Sequence, residues 1–295
     1  MSTVAITRDT EFIGQAIFDA LNALDLEDLF TNRLVAIKPN DTAATPDDIS
    51  GVTHADSLQA VIRFVKGFNP RHIVVSGGAG ASITEDVFNY TGMMEVIRRE
   101  GVEFFDHNQG PFEEVTLASG PQRQVMINPR ILEYDSVVSL AQLKLHETAT
   151  VTLSMKNVAM SFPAADYYGH PRASGERHEN DFFGDMQEFI VAMVKRFPPS
   201  LAVIVGHPAM VGTGPLGGIP VETGLVIASR DFVAADAAGA ELFGFNMQGV
   251  RHIFEAYRAG LGEGRTSSMT FPLMSLSDAI GAFTRVVYTQ EAVWA

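Results

Sequence analysis

The stretch 135–157 carries the residues best suited to chemistry. An apolar run containing Val137, Val138 and Leu140 ends in Lys144 and His146, and a Ser/Thr-rich segment then leads to Lys156 and Asn157. The chain has only five lysines, Lys38, Lys66, Lys144, Lys156 and Lys195, so two of the five fall here. A third, Lys38, closes the apolar run LVAIKPN two residues before Asn40. Taken singly, each is explained as a solvated lysine ending a strand. Taken together, Lys38, Asn40, Lys144, His146, Lys156 and Asn157 suit an anion site for a carboxylate or phosphate, because ammonium groups and amide donors match such oxygens. Crowded, partly buried ammonium groups also lose pKa, which fits one of them to proton transfer or imine formation. His146, with an intrinsic pKa near neutrality, is the natural general acid or base.

Further candidates lie downstream. His170, with Arg172, Arg177 and His178, occupies the irregular polar segment 161–180, which also reads as a solvated loop. Gly212, Gly214 and Gly217 belong to HPAMVGTGPLGGIP (207–220), where glycine permits positive φ and close approach of backbone to a ligand; the plainer reading is a Gly/Pro-rich hairpin. Asp236 sits among alanines in FVAADAAGAELF, as an acid/base candidate or as a solvent-facing carboxylate. A divalent metal is a candidate cofactor, held by His146, His170, His178 and His207 with Asp231 or Asp236. No two histidines show the i, i+4 spacing that makes a zinc site recognisable. The remaining histidines, His54, His72, His107 and His252, read as surface or helix-face residues.

These groups need a scaffold. Strands are expected at 3–7, 34–38, 72–76, 102–106, 135–141, 201–206 and 224–231, alternating with amphipathic helices that include one carrying Leu58, Val61, Ile62 and Val65. A hairpin fits 115–119 with 124–129, and a helix fits 148–158. Such alternation predicts an α/β fold with a mainly parallel sheet flanked by helices and a Gly-rich loop near the C-terminal third. The organisation is one domain over 1–295, or two tightly packed lobes over about 1–134 and 135–295. Ligands in these sheets sit at the carboxyl ends of strands, where Lys38, the loop GGAGAS (77–82) and Lys144 all fall. The 77–82 loop leads into a helix with a Ser82–Glu85 capping box, a position that suits anion binding. Its spacing is neither G-x-G-x-x-G nor a P-loop, so there is no nucleotide motif. The polar segment 41–56 is long enough for a lid or substrate loop.

Composition narrows the partners. A net charge of −14 argues against nucleic acid or an anionic membrane surface. With no cysteine there is no iron–sulfur cluster, thiolate zinc site or disulfide. No basic leader or long apolar span is evident, so a cytoplasmic protein is expected, with homo-oligomerisation left open. No G-x-S-x-G elbow supports a serine hydrolase.

Across nearly its whole length the chain resembles the uncharacterised domain-of-unknown-function family 362. The matching features are VAIKPN (35–40), LKLH (143–146), LSMKN (153–157), GTGPLGG (212–218) and SRDFVAADAAGAELFG (229–244). It departs at Gly206–His207, where relatives often carry an acidic residue, and it lacks the Cys-rich ferredoxin-like segment of many relatives. The resemblance therefore implies fold and site rather than electron transfer. The α/β build and Lys/His-rich cleft are also distantly similar to the nickel-pincer lactate racemase group. Two functions remain open. One is an isomerase- or lyase-type enzyme acting on a small anionic metabolite by Lys/His acid–base chemistry, with or without a metal. The other is a non-catalytic ligand-binding or sensor protein using the same cleft.

Overall fold

The computed structural model describes residues 1–170 and 183–288. Its main sheet draws strands from both halves of the chain: β1 (Ala5–Arg8), β2 (Leu34–Pro39), β3 (His72–Gly77), β4 (Glu103–Asp106), β5 (Ser136–His146), β6 (Thr150–Thr152), β7 (Leu201–Val211), β8 (Ile219–Val221) and β9 (Leu225–Ser229). The order is β4-β3-β2-β5-β7-β9-β1, with β6 paired to β5 and β8 to β7. Strands β2, β3, β4, β5 and β7 run parallel, whereas β9, β6 and β8 pair antiparallel. All six residues of β2 are buried, as its continuous apolar run requires when both faces are covered.

Helices divide between those faces. On one side α1 (Ile13–Asn22), α2 (Ala55–Lys66) and α3 (Met93–Glu100) pack over Val35, Ile37, Val138 and Leu140. On the other, α4 (Ser154–Ala159), α5 (Met186–Arg196), α6 (Phe232–Leu242), α7 (Arg251–Arg258) and α8 (Leu276–Val287) cover Ala141, Leu143 and Ile204. Alternate residues of β5 thus feed two separate cores, which is the period-two geometry of a strand. Helix α2 buries Leu58, Val61, Ile62 and Val65, with Asp56 in its first turn and Lys66 in its last, each sign matching the helix dipole.

The connections define a crevice. From β2 the chain steps outward through β3 to β4, then returns to place β5 on the opposite side of β2 and continues to β7. The order reverses between β2 and β5, and such a switch point opens a crevice at the strands' carboxyl ends. The hairpin Glu113–Thr116 with Gln124–Ile127 forms as expected.

Two local expectations are corrected. Residues 148–158 are not one helix: Thr150–Thr152 folds back on the end of β5, pairing His146 with Thr150 and Lys144 with Thr152, and the helix starts at Ser154. The turn is fixed by His146, whose Nδ1 accepts hydrogen bonds from the Thr148 and Ala149 amides at 3.1 and 3.2 Å. No Ser82–Glu85 capping box forms either. The helix there spans Thr84–Tyr90 without a side-chain cap, and Thr84 Oγ1 instead donates to Asp106 and accepts from the Ala79 amide.

Candidate active site

A pocket of about 170 Å³ occupies the β2/β5 crevice, walled by Asn40, Asp41, His146, Thr152, Lys156 and Asn157, with Gly78, Ser161 and Pro215 at its margins. Helix α4 supplies Lys156 and Asn157. Asn157 fastens the helix down, its Nδ2 donating to the Lys38 carbonyl at 3.0 Å and to Ser139 Oγ at 3.0 Å. Those bonds orient the amide, so its Oδ1 accepts from Asn40 Nδ2 at 3.3 Å. Asn40 Oδ1 and Thr152 Oγ1 are buried with no hydrogen-bond partner, two polar atoms already desolvated on the pocket wall.

The loop after β2 is a fixed wall. Asn40 and Thr53 close its neck, the Thr53 amide donating to the Asn40 carbonyl at 2.8 Å. Gln142 Nε2 donates to the Ser50 and Pro208 carbonyls, and two residues along the strand Lys144 Nζ donates to those of Gly51 (2.6 Å) and Pro215 (3.3 Å). One face of β5 therefore hangs this loop and the glycine loop side by side.

The three lysines that the sequence grouped have different duties. Lys38 is fully buried, and its Nζ pairs with Asp41 Oδ1 at 2.6 Å and donates to the Pro39 carbonyl. Lys144 lies behind the pocket wall; burial and then the charge of Lys156 push its pKa down to about 7. Lys156, also buried, lines the pocket. His146 lines it too, with burial first and the two lysines next driving its pKa down to about 2. It is a neutral imidazole whose Nδ1 accepts two amides, so its proton sits on Nε2. It acts as a hydrogen-bond donor there, which corrects the expectation of a near-neutral acid/base.

Other sequence candidates lie elsewhere. Asp236 is fully buried but outside the pocket lining, accepting the Ser154 and Met155 amides at 2.8 and 2.9 Å to cap α4; burial pushes its pKa up to about 7. Gly212 and Gly217 adopt φ of 77° and 70° in the glycine loop without lining the pocket. Gly214 also lies off the lining, yet it is required: a Cβ there would fall 2.0 Å from the Leu145 carbonyl oxygen. His170 is exposed and bonds Asp166. His207 is held between Asp56 at 3.0 Å and Glu222 at 2.6 Å. Asp231 caps α6 and accepts from Ser2. His178 lies outside the described residues, among which no three His, Cys, Asp or Glu side chains form a metal-ligating group. Among the described residues the metal candidates are thus dispersed and bonded to other partners.

Of the histidines expected on the surface or a helix face, His107 is completely buried just after β4, His252 is completely buried on α7, and His72 is exposed and bonds Glu103. The 77–82 loop lies beside the pocket, but the amides of residues 78–81 are spent on other protein groups. Gly78 donates to Asp41 Oδ2, Ala79 to Thr84 Oγ1, and both Gly80 and Ala81 to the Thr42 carbonyl. Sequence reasoning missed Asp41, Thr152 and Ser161. Of these, Asp41 carried a signal, because it directly follows the β2 carboxyl end.

A family model described as Domain of unknown function (DUF362) matches residues 35–241. A thylakoid-associated protein of Synechocystis sp. is 23% identical over 240 residues, covering 81% of this chain and 71% of that protein. Among solved structures, the lactate racemase apoprotein from Thermoanaerobacterium thermosaccharolyticum aligns over 82% of this chain and 56% of that one, at 12% identity and a TM-score of 0.48. The chain spans little more than half the length of that structure, and a likeness at this level carries no argument about chemistry. Among the described residues no helix is long and apolar enough to cross a membrane.

Proposed function

The chain belongs to the DUF362 family, and from that premise we propose an enzyme that acts on a small carboxylate by acid–base chemistry in the β2/β5 crevice. The observation that supports this is the pairing of a buried lysine, Lys156, with the N–H edge of a neutral imidazole, His146, on the wall of a small pocket. Lys156 matches the charge of a carboxylate. The His146 Nε2–H is placed to donate to an oxygen that gains charge as a neighbouring C–H is deprotonated; a neutral histidine performs that task without giving up its proton. Lys156 acts as the base from the fraction that has released its proton, takes the proton from carbon to become the ammonium that matches the carboxylate, and then returns it, the chemistry of an isomerase or lyase. A carboxylate is favoured over a phosphate because the 78–81 amides, which could have cradled phosphate oxygens, are bonded to Asp41, Thr42 and Thr84.

The second reading is a ligand-binding or sensor protein using the same pocket. It is favoured by the fixed tautomer of His146, which can hold a ligand without changing it, and by Lys144 anchoring two loops rather than reacting. One experiment separates the two. Short oxo acids, hydroxy acids and dicarboxylates are incubated with the protein in D₂O, deuterium wash-in is followed by NMR, and binding is followed by thermal shift. Lys156→Arg is expected to retain binding while wash-in falls by about 10²-fold or more, the usual worth of a positioned base. Wash-in that survives in Lys156→Arg overturns the assignment of the base. Binding without wash-in by the unaltered protein leaves the sensor reading.

A further inference from the structure

His107 takes no part in the chemistry above, yet it is fully buried with both ring nitrogens engaged. Its Nε2 lies 3.0 Å from the Ser161 carbonyl oxygen and 3.1 Å from Ser161 Oγ. A carbonyl oxygen only accepts, so Nε2 carries the ring proton. In the neutral ring Nδ1 then accepts from Ser76 Oγ–H at 2.8 Å. With its proton directed at His107, Ser76 Oγ accepts in turn from the Tyr134 hydroxyl at 3.2 Å. Burial pushes the Tyr134 phenol up to about 12, so it keeps a proton to donate. Every donor in the chain points the same way, from Tyr134 through Ser76 and His107 to Ser161, whose hydroxyl donates to the Gly78 carbonyl at 2.9 Å.

The two ends open on different cavities. Ser161 lines the candidate pocket, whereas Tyr134 lines a separate groove with Leu132, Asp135 and Arg196. Between pocket and ring stands Gly78, where a Cβ would fall 1.9 Å from His107 Nε2 and 2.6 Å from Ser161 Oγ. The Phe162 ring covers the imidazole edge-on at 5.4 Å.

We propose that Tyr134, Ser76, His107 and Ser161 form a proton relay joining the pocket to solvent at the Tyr134 groove, an inference that rests on the acid–base reading of the pocket. Protons balance along it. Tyr134 passes its proton to Ser76 and takes one from water, and Ser76 passes its own to Nδ1. Nε2 gives up its proton to Ser161 Oγ, whose own O–H breaks from the Gly78 carbonyl, turns to the pocket it lines and releases its proton there. One proton enters and one leaves, nothing is oxidised, and the ring ends as the other tautomer. Return of a proton in the second half of an isomerisation restores it.

The test uses the full chain with ¹⁵N-labelled histidine and needs no ligand. The ring nitrogens of His107 should report one neutral form protonated at Nε2, and the rate at which that proton exchanges with water is measured. Tyr134→Phe removes only the hydroxyl and is expected to slow exchange by about tenfold or more, the scale on which a positioned proton donor acts. Ser76→Ala cuts the same path one link further in and should slow it likewise. Exchange unchanged in both variants overturns the relay, as does a ring proton found on Nδ1. Exchange slowed only by Ser161→Ala also overturns it, since protons would then enter from the pocket alone. Because no carboxylate enters the measurement, an inert relay and an inactive pocket give different results.

Discussion

His146 and His207 sit on strands β5 and β7, neighbours in the sheet, and their surroundings drive them in opposite directions. His146 is buried, accepts two backbone amides and faces Lys156 and Lys144; it is neutral, with a pKa near about 2. His207 donates to Asp56 and Glu222, stays one-quarter exposed at 24%, and has its pKa pushed up to about 10. The difference teaches how a chain of net charge −14 keeps a place for an anion. Around the pocket the carboxylates are already committed, Asp41 to Lys38 and the Gly78 amide, Asp236 to the start of α4. Around His207 two carboxylates remain partly in water and find their cation there.

The largest way to break this contrast is to remove Asp236. Its two oxygens satisfy the first amides of α4, the helix whose Lys156 helps hold His146 neutral. Asp236→Ala leaves two buried N–H groups without a partner, so the unfolding free energy should drop by roughly 3 kcal/mol, read as a fall in denaturant midpoint. NMR titration of the same variant should show the His146 pKa rising toward its ordinary value as Lys156 loosens. A loss below about 1 kcal/mol would mean that α4 is held by Asn157 rather than by its cap.

The next effect is on pH dependence, with opposite signs at the two histidines. A raised pKa means that the folded state prefers the protonated ring. The His207 contribution is therefore complete below pH 6.5 and is lost as pH climbs through about 10. A lowered pKa means the reverse, so the His146 contribution is present above pH 6.5 and erodes as pH falls toward about 2. His207→Gln should flatten the alkaline limb of stability against pH by about 1 kcal/mol, a modest figure because both carboxylates face water. His146→Gln should flatten the acid limb by about 2 kcal/mol near pH 4. Part of that limb remains, since burial and Lys156 also push His252 down to about 3. Both variants altering the same limb would refute the contrast.

How much of this was legible in the sequence follows from what each feature depends on. The strands and α2 were legible because burial on one or two faces writes a local period into the chain, as in LVAIK and in Leu58, Val61, Ile62 and Val65. The scarcity of lysine pointed to Lys38, Lys144 and Lys156, and all three are buried around one crevice. Their division of labour was not legible. Whether a lysine faces a pocket or a carbonyl depends on Gly51, Pro215 and Asp41, which meet Lys144 and Lys38 only through folding. The neutrality of His146 was hidden for a similar reason, because it comes from burial and from a helix that follows a hairpin unseen in the sequence. His107 gave no signal, since its partners Ser76, Ser161 and Tyr134 come from separate elements.

The smallest effect tests the pocket side of the contrast at its most local point. Asp56 and Glu222 are both paired with His207, whereas Thr152, opposite Lys144 in the hairpin and 2% exposed, keeps a buried hydroxyl without a partner beside the pocket. Valine has nearly the same shape and no hydroxyl to desolvate. Thr152→Val should leave the ligand-free protein as stable as before, or firmer by up to about 1 kcal/mol, because no hydrogen bond is lost. The same change should weaken stabilisation by a bound carboxylate by about 1 kcal/mol, the worth of one hydrogen bond to the ligand. A loss in both measurements would place Thr152 with the scaffold. A gain in the free protein with unchanged ligand stabilisation would restrict recognition to Lys156, His146 and Asn40. The opposite movement of the two is the result expected of a polar atom held ready for a ligand.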